Sequence, residues 1–332
     1  MAIKPGKWIA HVAALIGLVC GVSYFSPAWA GQGAPRVVVS VRPLHALVAG
    51  VMKGVGVPHL LVRGAASPHT YSLRPSDARA LGRADVVIWV GEAFETFLRK
   101  PLKVLSTKAR VIEFAKTGRL TRLVVRKGGA WGRRDDSDHA REAQPGRKEG
   151  RGGMHRTGQF DPHVWLDPVN ARAMVREIVE TLGRADPRRA RRYQENGRTM
   201  VRRLQALDEE IRSRLGPVAG VPYIVFHDAY RYFEDRYGLN VAGSLTVSPE
   251  RRPGARRVSE IRARVRRLGV VCVFAEPQFR LSLVRTVVAG TGVRAAVLDP
   301  LGADLEAGPE QYFALMRRLT DSLVRCLIGN RG

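Results

Sequence analysis

Acidic residues are scarce in this chain: 30 Asp and Glu stand against 55 Lys and Arg, a net charge of +25 over 332 residues. That excess comes without a zinc knuckle or the aromatic motif of an RNA-recognition domain, so it does not read as a nucleic-acid surface. Nine arginines between Arg188 and Arg214 string along one helical stretch instead, the pattern of a solvated helix face. Apolar runs of membrane length are also wanting. The run "WIAHVAALIGLVCGV" falls short of the ~20 residues that a spanning helix needs, and no stop-transfer charges follow it. The HExxH helix of the zincin hydrolases is absent as well. Hydrophobic residues, at 45%, are not lacking, which excludes a disordered chain and allows more than one core.

Residues 1–30 have the build of a signal peptide: Lys4 and Lys7, the apolar run, then Ala28-x-Ala30 before Gly31. Cleavage is expected after Ala30, with export to the periplasm. Lipid attachment at Cys20 wants a small residue before it, and Val19 is bulky. Once Cys20 is lost with the peptide, Cys272 and Cys326 remain. An even pair in an exported chain points to a disulfide, worth roughly 4 kcal/mol in the chain-entropy model for a loop of this length. Two buried free thiols are the competing arrangement.

From Arg36 onward short β-branched runs alternate with helical patterns, which predicts an α/β fold with mainly parallel sheets. Strands are expected over 36–41, 59–62, 85–90 and 110–114, with helices in "SDARALGRA", capped by Ser76, and in "EAFETFLRKPL". Residues 128–159 are rich in Gly and charge and read as a mobile surface loop. His139 and His155, beside Asp135, Asp136 and Asp138, are its candidate metal contacts. Asp186 and Pro187 then open a long helix as N-cap and first residue, with apolar residues at Tyr193, Met200, Leu204, Leu207, Ile211 and Leu215. The alternation resumes in "YIVF", "LNVAGSL", "VVCVFAE" and "AAVLDP". The organisation expected is therefore a lobe over 31–185, a rigid connecting helix over 186–216 and a second lobe over 217–332, each lobe a mainly parallel sheet flanked by helices.

Ligands of open α/β sheets gather beyond the carboxyl ends of the strands. That rule selects His227 after "YIVF" and Asp299 after "AAVL", with His69 and His163 in turns of the first half. Pro68, Pro162, Pro168 and Pro300 stiffen these turns, which lowers the ordering needed on binding. Imidazoles suit Zn, Mn and Fe better than Ca or Mg, and three His with one carboxylate or a water complete a four-coordinate site. Asp161, Asp167, Asp228 and Glu276 are placed to orient the rings or, equally, to cap helices. His45 and His59, in or beside apolar elements, have no evident partner.

"SPHTYSLRPSDARAL", "DPHVWLDP", "VFHDAYRYFEDRYGL", "CVFAEPQF" and "LDPLG" together resemble the zinc-binding component of bacterial ABC zinc uptake systems, a branch of the metal-binding solute-binding proteins that also serve manganese. The likeness runs from about Arg36 to Cys326. It implies a non-enzymatic, monomeric periplasmic protein with two α/β lobes and a rigid helix, holding Zn²⁺ on His69, His163 and His227 and passing it to an ABC permease in the inner membrane. It also implies a disulfide between Cys272 and Cys326. Two departures stand out. The loop keeps only His139 and His155, and Pro68 stands where some relatives have a glutamate, leaving Asp299 or water as fourth ligand, with Asp299 favoured. The competing functions are a manganese or iron carrier of the same family and a zinc hydrolase.

Overall fold

The computed structural model describes residues 33–126, 160–246, 254–279 and 282–328; the expected signal peptide and the loop 128–159, with His139 and His155, lie outside them. Two four-stranded sheets, parallel throughout, form the frame. In the first half come β1 (Val37–Val39), α1 (Arg42–Val51), β2 (His59–Leu60), α2 (Pro75–Arg83), β3 (Val86–Trp89), α3 (Arg99–Leu105) and β4 (Arg110–Glu113). Their sheet runs β2-β1-β3-β4. β1 and β3 read as unbroken apolar runs because both faces of a parallel sheet are covered, and every one of their residues is buried. α1 buries Leu44, Leu47, Val48 and Val51, the one-face spacing of an amphipathic helix.

Two long helices follow, α4 (Pro168–Ala185) and α5 (Ala190–Leu215). The second half holds β5 (Tyr223–Val225), α6 (Arg231–Tyr237), β6 (Val241–Ser244), α7 (Ala255–Arg267), β7 (Cys272–Ala275), α8 (Ser282–Val288), β8 (Arg294–Val297) and α9 (Gln311–Ile328). Its sheet runs β6-β5-β7-β8, the same order as the first. No helix among the described residues is long and apolar enough to cross a membrane.

α5 spans about 39 Å at 1.5 Å per residue. All six apolar positions expected on its inner face are buried, and it packs against α1 and α4 of the first lobe and α9 of the second. The helix is thus a shared spine rather than a bare strut. At Gly197 a side chain would collide with Val179 of α4, so the two helices approach as closely as they do only because that position is glycine. Several of its arginines do more than face water. Arg203 pairs with Glu310 and Arg214 with Asp321, while Glu210 receives Arg317, all toward α9. Such part-exposed pairs are worth up to ~1 kcal/mol each.

Three local expectations are corrected. Ser76 does not cap α2. The cap is Arg74, because Pro75 takes the first helical position, and Asp77 Oδ2 accepts from the Arg74 N–H at 3.4 Å. Pro187 opens a 3-10 turn, Pro187–Arg189, not α5 itself; the Asp186 carboxylate takes Arg189 and the Tyr193 hydroxyl, at 2.8 and 2.9 Å, in place of backbone N–H groups. "EAFETFLRKPL" is a 3-10 turn at Thr96–Leu98 followed by the short α3. Cys272 and Cys326 are disulfide-bonded, with Cα atoms 6.1 Å apart, which ties β7 to α9.

Candidate metal centre

Three histidines reach one point from three separate segments. His69 lies in the turn between β2 and α2, His163 opens a 3-10 turn ahead of α4, and His227 follows β5 by one residue. Their ring centroids are 6.2, 6.1 and 5.4 Å apart. One nitrogen from each lies within 4.8 Å of the other two, close enough for a single ion to be offered all three.

Each turn is held from behind. The Tyr71 hydroxyl sits 3.0 Å from the Leu61 carbonyl and 2.9 Å from the Asp77 carboxylate, which pins the His69 turn between β2 and α2. Asp161 Oδ1 lies 2.8 Å from His163 Nδ1 and accepts the His163 backbone N–H at 2.9 Å. Glu276, at the end of β7, does the same for His227: Oε1 is 2.7 Å from Nδ1. With Nδ1 occupied in both rings, Nε2 is left as the metal-facing atom, the tautomer that a carboxylate–histidine pair selects. His227 Nε2 is buried and has no hydrogen-bond partner among the described residues, as does one oxygen of each orienting carboxylate.

The walls are dry. The Phe94 ring stands edge-on to His69 at 4.9 Å and near His163 at 5.4 Å, and Phe279 lies 5.9 Å from His227. Trp165 packs 5.3 Å from His163 and donates its indole N–H to the Pro300 carbonyl at 2.9 Å, closing the first lobe onto the second. Burial, aided by the two facing imidazoles, pushes His69 down to about 3. For His227 burial pulls the same way, but the Glu276 carboxylate outweighs it and the pKa ends above the ordinary histidine value. Beside Phe94, Glu95 is a fully buried carboxylate that accepts the Val90 and Gly91 N–H groups at 3.1 and 2.9 Å and that burial pushes up to about 7. Both residues lie in "GEAFETFL", but the sequence singles out neither as a site residue.

The structure leaves Asp299 out of the cluster. Its Oδ1 accepts from Gln278 Nε2 at 2.7 Å and from the Leu301 N–H at 3.0 Å, and Oδ2 accepts the Ala303 N–H at 2.6 Å. The carboxylate expected as fourth ligand, after β8, is close to three donors of its own neighbourhood, and these hold it. Asp161 and Glu276, the expected ring-orienting carboxylates, hydrogen-bond the His163 and His227 rings. Asp167 caps α4, accepting the Val169 N–H at 2.8 Å, and Asp228 meets Arg126 at 3.2 Å. His45 and His59 do find partners, the Pro58 carbonyl at 3.0 Å and Asp77 at 3.3 Å.

The family model for the zinc-uptake complex component A, periplasmic, matches residues 37–326. The chain belongs to this family. The high-affinity zinc uptake system protein of Brucella abortus is 46% identical over 304 residues, 88% of this chain and 91% of that protein. The Yersinia pestis protein of the same name is 36% identical over 296 residues, again 88% of this chain and 91% of its own length. A crystal structure of ZnuA superposes with a TM-score of 0.71 at 22% identity, covering 89% of this chain and 99% of that one, a likeness of fold. For a zinc-uptake component A protein the donor set can be judged directly, and it fits the cargo: neutral imidazoles suit a borderline-soft ion, and an unpartnered buried Nε2 points where that ion would sit.

Proposed function

We propose that the chain is the periplasmic carrier of a zinc uptake system, taking Zn²⁺ between its lobes on His69, His163 and His227 and handing it to an ABC permease of the inner membrane. The observation that carries this is the meeting of three imidazoles from three segments at one buried point, two of them with the far nitrogen fixed by a carboxylate. Asp161 and Glu276 orient rings, and Asp299 holds the Leu301 turn rather than the ion, so a water completes the four positions. The chain works as a monomer, exported by cleavage after Ala30, and it binds without catalysing. A zinc hydrolase needs a general base beside a substrate cleft, and here both carboxylates nearest the rings are engaged by ring nitrogens. A manganese site would gain from harder oxygen donors than three imidazoles supply, so the donor set favours Zn²⁺ over Mn²⁺.

Chelator-competition titration tests the reading. The wild type should take one Zn²⁺ in preference to Mn²⁺, and His69→Ala, His163→Ala and His227→Ala should each lose at least a hundredfold in affinity. A variant that keeps its affinity removes that residue from the site, and a preference for Mn²⁺ overturns the choice of cargo.

A further inference from the structure

Beside the three histidines the lobes are joined by a second, charged contact. Arg126, in the first lobe, reaches Asp228 Oδ1 at 3.2 Å and Glu234 Oε2 at 2.6 Å in the second. All three are largely shielded: the Arg126 side chain is 12% exposed, Asp228 11% and Glu234 1%. Asp228 is the residue after His227, and Glu234 lies on α6. The segment that carries Arg126 is joined to the approach to His163 by an isolated antiparallel bridge between Val124 and Phe160 and by an Asp161 N–H donated to the Leu123 carbonyl at 2.8 Å. Tyr232, also on α6, crosses in the opposite sense: its hydroxyl accepts the Leu123 N–H and donates to the Asp161 carbonyl, both at 3.0 Å. One cation enters the second lobe at Asp228, next to His227, and one hydroxyl enters the first at Asp161, two residues before His163.

We infer that Arg126 is a positioning residue, a latch that holds the His227 segment against the His163 segment and so sets the spacing at which the two imidazoles meet an ion. A buried cation between two carboxylates tolerates little displacement, because moving it strands charge in a low-dielectric setting. The short bonds to both partners therefore act as a register mark between the lobes. The inference rests on the zinc reading for its purpose, though not for its geometry.

The test uses the full mature chain. Spin labels at Lys103→Cys and Arg266→Cys, exposed positions in the first and second lobes, report the inter-lobe distance in the metal-free protein. Arg126→Met should broaden or shift that distribution, weaken Zn²⁺ binding at least tenfold and alter the Co²⁺ ligand-field spectrum, and Arg126→Lys should restore all three in large part. Should Arg126→Met fail to fold, the triple variant Arg126→Met, Asp228→Asn, Glu234→Gln carries no stranded charge and should fold with the same weakened affinity and altered spectrum. Wild-type distance, affinity and Co²⁺ spectrum in whichever of these folds would overturn the latch. A wild type that takes no Zn²⁺ would refute the proposed function instead, and the distance measurement would still decide the latch.

Discussion

Replacing Glu276 by Gln changes one charge and almost no volume at a fully buried position. The side-chain oxygen 2.7 Å from His227 Nδ1 remains as an acceptor, so the ring keeps its orientation, but it loses the negative charge that makes its far nitrogen a strong donor to a metal. Removing such a partner typically weakens metal binding 10–100-fold, about 1.4–2.7 kcal/mol, and with the hydrogen bond retained the lower half of that range is expected. The pH dependence gives the sharper test. In the wild type the His227 pKa is raised, so as the pH falls a proton competes with the ion at His227. His69, held at about 3, stays neutral over the same range. In the Gln variant the pull of burial survives while the carboxylate is gone, so the competing proton is bound less tightly. The variant's deficit should therefore be largest near about pH 8 and shrink toward about pH 5.5, where the wild type gives up more of its affinity than the variant does. Zn²⁺ competition titrations at four or five pH values measure this. A deficit that grows on acidification, or none at the alkaline end, would refute the assignment of Glu276 as the group that sets His227.

Asp299→Asn should leave Zn²⁺ affinity within ~tenfold, because the carboxylate stands outside the cluster, yet it should lower the melting temperature of the metal-free protein, since an amide cannot serve the Leu301 N–H, the Ala303 N–H and Gln278 together. Calorimetry on one sample reads both. Breaking the disulfide with Cys272→Ser and Cys326→Ser should remove about 4 kcal/mol of stability for the 54-residue separation, measured by urea unfolding at constant metal content. Gly197→Ala, a change that favours an exposed helix by up to ~1 kcal/mol, should here destabilise by about 1–3 kcal/mol because the new methyl meets Val179; a gain in stability would show that α4 and α5 can move apart freely.

The frame of the molecule is legible in the sequence wherever burial on both faces forces continuous apolar runs. "VVV", "VVIW" and "CVFA" are β1, β3 and β7, and the spacing of Tyr193, Met200, Leu204 and Leu207 traces the inner face of α5. The three histidines were legible because each sits in a proline-stiffened turn or directly after a strand. Asp299 obeys the same rule, but position after a strand says where a carboxylate is and not what will satisfy it. The neighbours that satisfy it, the Leu301 and Ala303 amides and Gln278, come into range only when the turn is folded. Local caps failed for a related reason: Pro75 puts the cap of α2 at Arg74 rather than Ser76, and the Asp186 carboxylate is taken by Arg189 and Tyr193. The Arg126 triad was out of reach, because Arg126 lies more than a hundred residues from both Asp228 and Glu234 and nothing in the sequence joins them.

α5 is gripped along its length by helices of both lobes, and this bears on how long an ion would stay. A carrier whose halves swing about a hinge can empty its site in one motion. With a spine packed from both sides, the ion leaves only as fast as its imidazoles let go one after another. For capture near a diffusion-limited ~10⁹ M⁻¹ s⁻¹, a nanomolar site holds its ion for about one second, and each tenfold gain in grip lengthens that dwell tenfold. A tight carrier of this build is therefore a slow one when left alone, and its turnover must be set by a receiving protein that competes for the ligands in sequence rather than by spontaneous opening.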